Sequence, residues 1–241
     1  MSMRKVRAIV FAVALLALLL VIFAGPGTKH GWWDYRVGLT LLQFGAYVAL
    51  AAAAAAAVLV VLLAVPRWRV RPWVPLVTLI VALLAVAPPL ILRHQARSVP
   101  PIHDITTDFA DPPQFVALQG ERQKAPNGVA YGGPQIAAQQ QQAYADIQPL
   151  VLKVPPAEAL QRAIDAARAL GWEVISTDSA SGRIEATDTT GWFGFKDDIV
   201  VRVRPDASGG SRVDVRSVSR VGRSDLGANA ARVRKYLAKL A

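Results

Sequence analysis

Three apolar runs near the N-terminus constrain this chain more than anything that follows them. Residues 8–24 are apolar or small without interruption. Residues 39–65 carry only Thr40 and Gln43 as clearly polar side chains, and residues 73–92 form a third run. A helix needs about 20 apolar residues to cross a bilayer, with about 17 as the short limit. All three runs therefore read as transmembrane helices. The charged start, Arg4, Lys5 and Arg7, also suits a cleaved signal peptide. The first run is longer than the usual signal core, however, and Phe23-Ala24-Gly25-Pro26 is a poor small-x-small cleavage site, so an uncleaved helix is expected.

The loops set the expected orientation. Arg4, Lys5 and Arg7 precede the first run, and Arg67, Arg69 and Arg71 separate the second from the third. The intervening loop has Lys29 and Arg36 partly offset by Asp34. Positive loops stay cytoplasmic, so the N-terminus is expected inside and everything after Arg93 outside. Trp32, Trp33 and Tyr35 then fall at the outer interface, Trp68 and Trp73 at the inner one, where amphipathic rings prefer to sit. The run Ala51–Ala57 gives a slim surface suited to close helix packing. Drift in an alanine-rich sequence explains it as well and is the reading favoured here. Pro88 and Pro89 are expected to bend or end the third helix. No ionisable side chain lies deep in any run, which argues against an ion or proton pathway.

The net charge of +10 follows the same division. Eight Lys/Arg face Asp34 alone before Leu92, whereas nineteen face sixteen Asp/Glu from Arg93 onward. The excess flanks the apolar runs, and the remainder lacks the basic stripe of a nucleic-acid binder. There is no cysteine, which excludes disulfides, thiolate metal sites and thiol nucleophiles.

Residues 98–148 are rich in Pro and Gly up to Gly133 and cannot hold a long helix or a central strand. Ile102, Ile105, Phe109, Phe115, Val116 and Leu118 make the stretch too apolar for plain disorder, so it reads as an extended arm lying on a domain. Residues 137–144 suit a short helix or a spacer. Residues 149–241 read as the domain itself. Leu150–Val154 is a strand. A helix starts at Pro155-Pro156, gathers Leu160, Ala163, Ile164, Ala167 and Leu170 on one face, and stops at Gly171. Four strands follow, 172–177, 183–189, 198–204 and 212–219. Ser224 or Asp225 caps a last helix, with Leu226, Ala230, Val233, Leu237 and Leu240 inward and Arg232, Lys235 and Lys239 outward. The fold class is α+β, with three N-terminal transmembrane helices (residues 1–97) before the arm and the domain. In the domain an antiparallel sheet carries two helices on one face, in the order β-α-β-β-β-β-α, a TATA-binding-protein-like or helix-grip layout.

Strand alternation puts Ile184, Ala186, Val201, Val203, Val213 and Val215 on the helix side. Glu185, Thr187, Arg202, Arg204, Asp214 and Arg216 share the other face. They form either a solvated ladder of opposite charges or a platform for an anionic partner, and the ladder is favoured because antiparallel sheets often face water on one side. Asp188, Asp197 and Asp198 are candidates for acid–base work by an envelope hydrolase or transferase. A strand entrance in which a carboxylate accepts turn N–H groups or pairs with Arg220 is favoured over a catalytic or cation-holding role. Arg220, Arg223 and Ser224, just before the last helix, suit an anion ligand, although a capped turn whose arginines bind carboxylates of the same domain is the favoured reading. Trp192, Phe193 and Phe195 crowd one turn, as a partner contact or as core. No catalytic triad, nucleophile elbow, phosphate-binding loop or metal motif is present, and no cofactor is expected.

IHDITTDFADPPQF, AYADIQPL, IEATDTTGWFGFKDDIVVRV and VDVRSVSRVGRSDLGANAARVRKYL resemble the bacterial domain-of-unknown-function family fourteen-ninety-nine. The resemblance runs from about Pro100 to Leu240, with FKDD and SVSRVGRSDLGANAARVR its most specific parts. It implies an envelope-associated domain and supplies no activity. The reading that follows is a membrane-anchored binding or scaffolding protein of the inner membrane. Its domain is periplasmic, and its partner is an envelope protein or an anionic lipid.

Overall fold

The computed structural model describes residues 2–62 and 73–241. The expected inner-loop residues Arg67, Trp68, Arg69 and Arg71, and the end of the second apolar run at Val65, lie outside the described residues. Two compact units divide the chain: Met1–Gln95 with Gly191–Gly194, and Ala96–Thr190 with Phe195–Ala241.

The first unit holds three helices long and apolar enough to cross a membrane: α1 (Met3–Lys29), α2 (Tyr35–Leu62) and α3 (Trp73–Ser98). They meet through small side chains. In α2 the buried positions are Gly38, Leu42, Gly45, Ala49, Ala52, Ala56 and Leu59, alternating steps of four and three. That period of 3.5 is the seam of a left-handed helix pair. Ala17, Ala49 and Ala85 form one contact layer, and Ala14, Ala52 and Ala82 the next. A Cβ on Gly45 would stand 2.9 Å from a Val21 methyl and 3.2 Å from the Ala17 carbonyl oxygen. The alanine run is therefore a packing surface rather than drift, since small residues let backbones approach where no hydrophobic force drives association. The third helix does not end at Pro88-Pro89 but continues to Ser98. Proline inside a membrane helix is tolerated where neighbouring groups satisfy the carbonyls it leaves open.

The second unit is an α+β domain. Its strands are β1 (Asp104–Thr106), β2 (Leu150–Leu152), β3 (Glu173–Asp178), β4 (Arg183–Thr189), β5 (Lys196–Pro205) and β6 (Ser211–Ser219). Its helices are α4 (Gln119–Lys124), α5 (Gly133–Ala143), α6 (Pro156–Ala169) and α7 (Ala228–Leu240). From β2 onward the order is β-α-β-β-β-β-α. All pairings are antiparallel, in the order β1-β6-β5-β4-β3. β2 shares the outer edge of β6 with β1, lying against Ser211–Val213 while β1 lies against Arg216–Val218.

β1 was not foreseen, because three residues in a Pro/Gly-rich stretch carry too little periodicity. It is held from outside by Gln140 of α5, fully buried, whose amide accepts from the Thr106 N–H (3.0 Å) and donates to the Thr106 carbonyl (2.7 Å). One side chain thus substitutes for a neighbouring strand.

The main core lies between the sheet and α6 and α7. Ile184, Ala186, Ile199, Val201, Val203, Val213 and Val215 meet Leu160, Ala163 and Ile164 of α6 and Ala230, Val233 and Tyr236 of α7. Trp172 stacks on Tyr236 at 4.8 Å, and the Tyr236 hydroxyl donates to the Ala163 carbonyl (2.9 Å). Gly171 has φ of 79°, the left-handed conformation expected just past a helix end. α7 differs from expectation at its start and at one position on its face. It starts at Ala228, leaving Leu226 outside it, and Arg232 is buried instead of projecting outward. The cause is a pair of carboxylates at the strand ends beneath it.

Candidate functional site

The sheet face opposite the helices is not open to water. The arm crosses it, and Phe115, Leu118, Val200 and Val218 form a second apolar cluster there, joined by Val129. The charged face expected as a solvated ladder is consequently an interior. Glu185 is only 1% exposed. Its carboxylate accepts the backbone N–H groups of Val116 (2.8 Å), Ala117 (3.0 Å) and Leu118 (2.8 Å), fixing the turn that leads into α4. The next turn of chain brings Arg122, fully buried, onto Asp198 at 3.0 Å. Arg122 also donates to the carbonyls of Val218 (3.1 Å) and Gly128 (2.6 Å). Burial pulls its guanidinium below the ordinary arginine range, against the opposing pull of Asp198.

The arginines proposed as a platform are engaged by this arm. Arg216 makes a two-bond contact with Asp104 (3.0 and 2.8 Å), and its guanidinium lies 5.5 Å from the ring centres of both Phe115 and Tyr131. Burial beside Asp104 pushes the Tyr131 phenol up to about 12. Arg204 stands directly opposite Arg212 in the β5–β6 register, and Arg202 opposite Asp214. Three guanidiniums then face one sheet carboxylate. Asp108 and Asp111 of the arm supply what is missing: Asp108 contacts Arg202 (3.2 Å), Arg204 (3.4 Å) and Arg212 (3.0 Å), and Asp111 contacts Arg202 (2.9 Å) and Arg204 (3.0 Å). Burial alone would raise the Asp108 carboxyl. The backbone N–H of Asp111 and the Arg212 guanidinium outweigh it and hold the carboxyl below its ordinary value.

The three candidate acids do not converge. Asp197 and Asp198 are neighbours in β5 and point to opposite faces. Asp198, on the arm side, accepts from Arg122, from Arg220 (Nε at 2.9 Å, Nη2 at 2.9 Å) and from the Thr187 hydroxyl (2.8 Å). Asp197 and Asp188, on the helix side, share Arg232 at 2.6 and 2.8 Å. Arg232 also donates to Asn229 Oδ1 (2.6 Å) and to the Ser217 hydroxyl (3.2 Å). Asn229 in turn donates to the Ser219 hydroxyl (2.9 Å) and the His103 carbonyl (3.0 Å), closing a buried polar network under α7. Among the described residues no three His, Cys, Asp or Glu side chains gather to hold a metal ion.

The loop between β6 and α7 contains the expected anion ligands. Arg220 is raised by its hydrogen bonds to Asp198 and reaches Glu121 at 3.6 Å. The Ser224 hydroxyl accepts from the Leu226 N–H (3.3 Å). The start of α7 is occupied by the chain's own carboxylate: Asp225 accepts from Gly227 N–H and Asn229 N–H, both at 2.8 Å. Burial raises the Asp225 carboxyl. Leu226 has φ of 56°, a left-handed conformation costly for a branched side chain. Asn127 donates to the carbonyls of Ser219 (3.0 Å) and Gly222 (2.9 Å), and Asp225 N–H donates to Ile102 (3.2 Å). Arg223 remains exposed at the tip.

Of the aromatic turn, Trp192 and Phe193 belong to the first unit, with rings 5.0 Å apart and Phe193 buried. Phe195 belongs to the second, its N–H donating to the Thr190 hydroxyl (2.9 Å).

Sequence reasoning missed Arg122, Asp108, Arg232 and Asn229. A charge count over neighbouring positions would have found Asp108, because Arg202, Arg204 and Arg212 cluster at one end of the β5–β6 pair, where Asp214 is the nearest strand acid. No signal marked Arg122, a lone arginine in a helix of six residues.

No curated protein matches the chain. A family model described as protein of unknown function (DUF1499) matches residues 104–240, from β1 to the last residue of α7 and over more than half of the chain. That span takes in the arm, both buried ionic centres and the loop before α7, so the chain belongs to the DUF1499 family.

Proposed function

We propose that this is a membrane-anchored envelope protein whose C-terminal domain is a binding module, with the loop Arg220–Gly227 as its contact surface. One observation carries the reading: the loop is fixed at one end by buried Asp198 and along its length by half-buried Asn127 and Asp225, yet holds the Arg223 side chain exposed at its tip. Asp198 holds Arg220, Asn127 holds the carbonyls of Ser219 and Gly222, and Asp225 ties the loop to α7. A preorganised loop loses less conformational freedom on binding than a mobile one. Arg223 suits an acidic partner because a guanidinium forms paired bonds with carboxylate or phosphate. The partner class is an envelope protein or an anionic lipid.

The positive loops of the sequence support a cytoplasmic N-terminus and a periplasmic domain in the inner membrane. A hydrolase built on Asp188, Asp197 and Asp198 receives no support from the geometry, because each carboxylate is bound to arginine and the three are split between two faces.

Crosslinking in intact cells, followed by purification of the full chain, tests the reading. The wild type should recover specific envelope proteins or anionic lipid, and Arg223→Glu should lose them while folding normally. Equal recovery by both proteins would remove the loop from the function. Recovery of abundant background alone would remove the binding role. A reporter fused after Ala241 should behave as extracytoplasmic; a cytoplasmic signal would reverse the orientation.

A further inference from the structure

The helical unit contains a groove of about 360 Å³ between α2 and α3. Leu39, Leu42, Ala46 and Leu50 line it along one face of α2, and Arg93 of α3 closes one end. From Leu39 to Leu50 the groove follows α2 for about 17 Å, at 1.5 Å per residue. That is about half of the roughly 30 Å hydrocarbon core, the depth of one leaflet. Ala49 packs with Ala85 and Ala52 with Ala82, so α2 and α3 run antiparallel and Arg93 falls beside the Leu39 end. Asp34 is the only acidic residue before Asp104, and its carboxylate accepts the Arg36 N–H at 2.9 Å. The unit therefore offers Arg93 little anionic charge of its own. Gln43 and Tyr47, which hydrogen-bond to each other at 3.2 Å, add polar groups to a lining that is otherwise apolar.

We propose that this groove binds one phospholipid, with an acyl chain along Leu42–Leu50 and the headgroup phosphate on Arg93. Shape and charge agree: an apolar slot one leaflet deep ends at a guanidinium, which pairs well with phosphate.

The test uses the full-length protein in detergent and a phosphatidylglycerol with a photoreactive diazirine halfway along one acyl chain. After irradiation and peptide mapping, label should concentrate on residues 39–50 and 89–93. Label spread evenly over these and over the exposed Leu16 and Leu19 of α1 would overturn the proposal. Native mass spectrometry with the same lipid gives a second readout that does not depend on a core substitution. Arg93→Gln should weaken retention about tenfold, the loss of one charge-assisted contact. Leu16→Ala, off the groove, should retain lipid like the wild type. Equal retention by Arg93→Gln and wild type would overturn the phosphate contact. Excess inorganic phosphate should leave the lipid bound; displacement by phosphate alone would make Arg93 a free-anion site and refute the acyl-chain part.

Discussion

Asp198→Ala tests whether the buried carboxylates hold the arm onto the sheet. Asp198 is fully buried and joins three elements: Arg122 from α4, Arg220 after β6 and Thr187 from β4. The two arginines respond differently to its loss. Arg220 has 18% of its side chain exposed and retains Glu121 at 3.6 Å, so it can turn towards water. Arg122 is fully buried and retains only the carbonyls of Val218 and Gly128 as acceptors. Its unpaired charge dominates the cost. Removing one partner of a buried pair typically destabilises by about 3–5 kcal/mol, a large part of the roughly 5–15 kcal/mol available to a domain. Replacing both charges by Asp198→Leu with Arg122→Met should recover most of that loss, because no charge then remains buried without its partner. Urea denaturation of the full chain in detergent, followed by brief proteolysis of the folded 96–241 region, measures both variants. A single variant within about 1 kcal/mol of the wild type, or a double variant as unstable as the sum of its singles, would refute the clamp.

Glu185→Gln keeps the size of the side chain but replaces one accepting oxygen with an amide. It should cost about 1–3 kcal/mol and raise hydrogen exchange at Val116–Leu118, the turn that Glu185 holds; unchanged protection there would count against the assignment. Asp108 is held below its ordinary value, so its contribution is present above about pH 4 and fades as pH falls through the folded-state value. The stability gap between wild type and Asp108→Asn should therefore shrink on acidification, and a gap that widens would reverse the sign of the argument. Asp225 is raised, so its ionised form is the disfavoured one in the folded state. Stability tied to it should fall as pH rises from about 4 through its folded value, and Asp225→Asn should remove that slope from the pH profile of the urea midpoint. Val233→Asp places an unpaired charge where the side chain is fully buried and should cost several kcal/mol; a wild-type melting curve would sink the inner-face assignment of α7.

The parts of the fold legible in the sequence are those in which periodicity and punctuation agree. The helix α6 begins at a double proline, buries Leu160, Ala163, Ile164 and Ala167 on the side its spacing requires, and ends just before the left-handed Gly171. The four long strands and their inward valines were legible for the same reason: alternation fixes which face a residue takes before any partner is known. The last helix is shaped by a contact that its own spacing does not encode. Arg232 falls one position before Val233, on the margin of the apolar stripe, and a guanidinium there reads as a solvated edge. Asp188 and Asp197 end their strands beneath that margin and draw it inward, a long-range pairing that no local spacing encodes.

The arm face carries the same lesson into function. Alternation correctly gathered Glu185, Arg202, Arg204, Asp214 and Arg216 on one side of the sheet, and the usual exposure of antiparallel sheets then made that side a surface. The sequence also held an arm with phenylalanines and aspartates spaced through it, too apolar for a linker and too broken for a helix. These two observations had to be read together. One end of that face, with Arg202, Arg204 and Arg212 around Asp214, and a neighbouring segment carrying Asp108 and Asp111 are complementary halves of one interior. Arg202, Arg204 and Arg216 have spent their charge on the chain itself, and Arg220 on Asp198. The basic groups that stay exposed are fewer than the sequence suggested: Arg223 at the tip of the loop before α7, and the outward lysines of α7, Lys235 and Lys239, where Arg232 is buried.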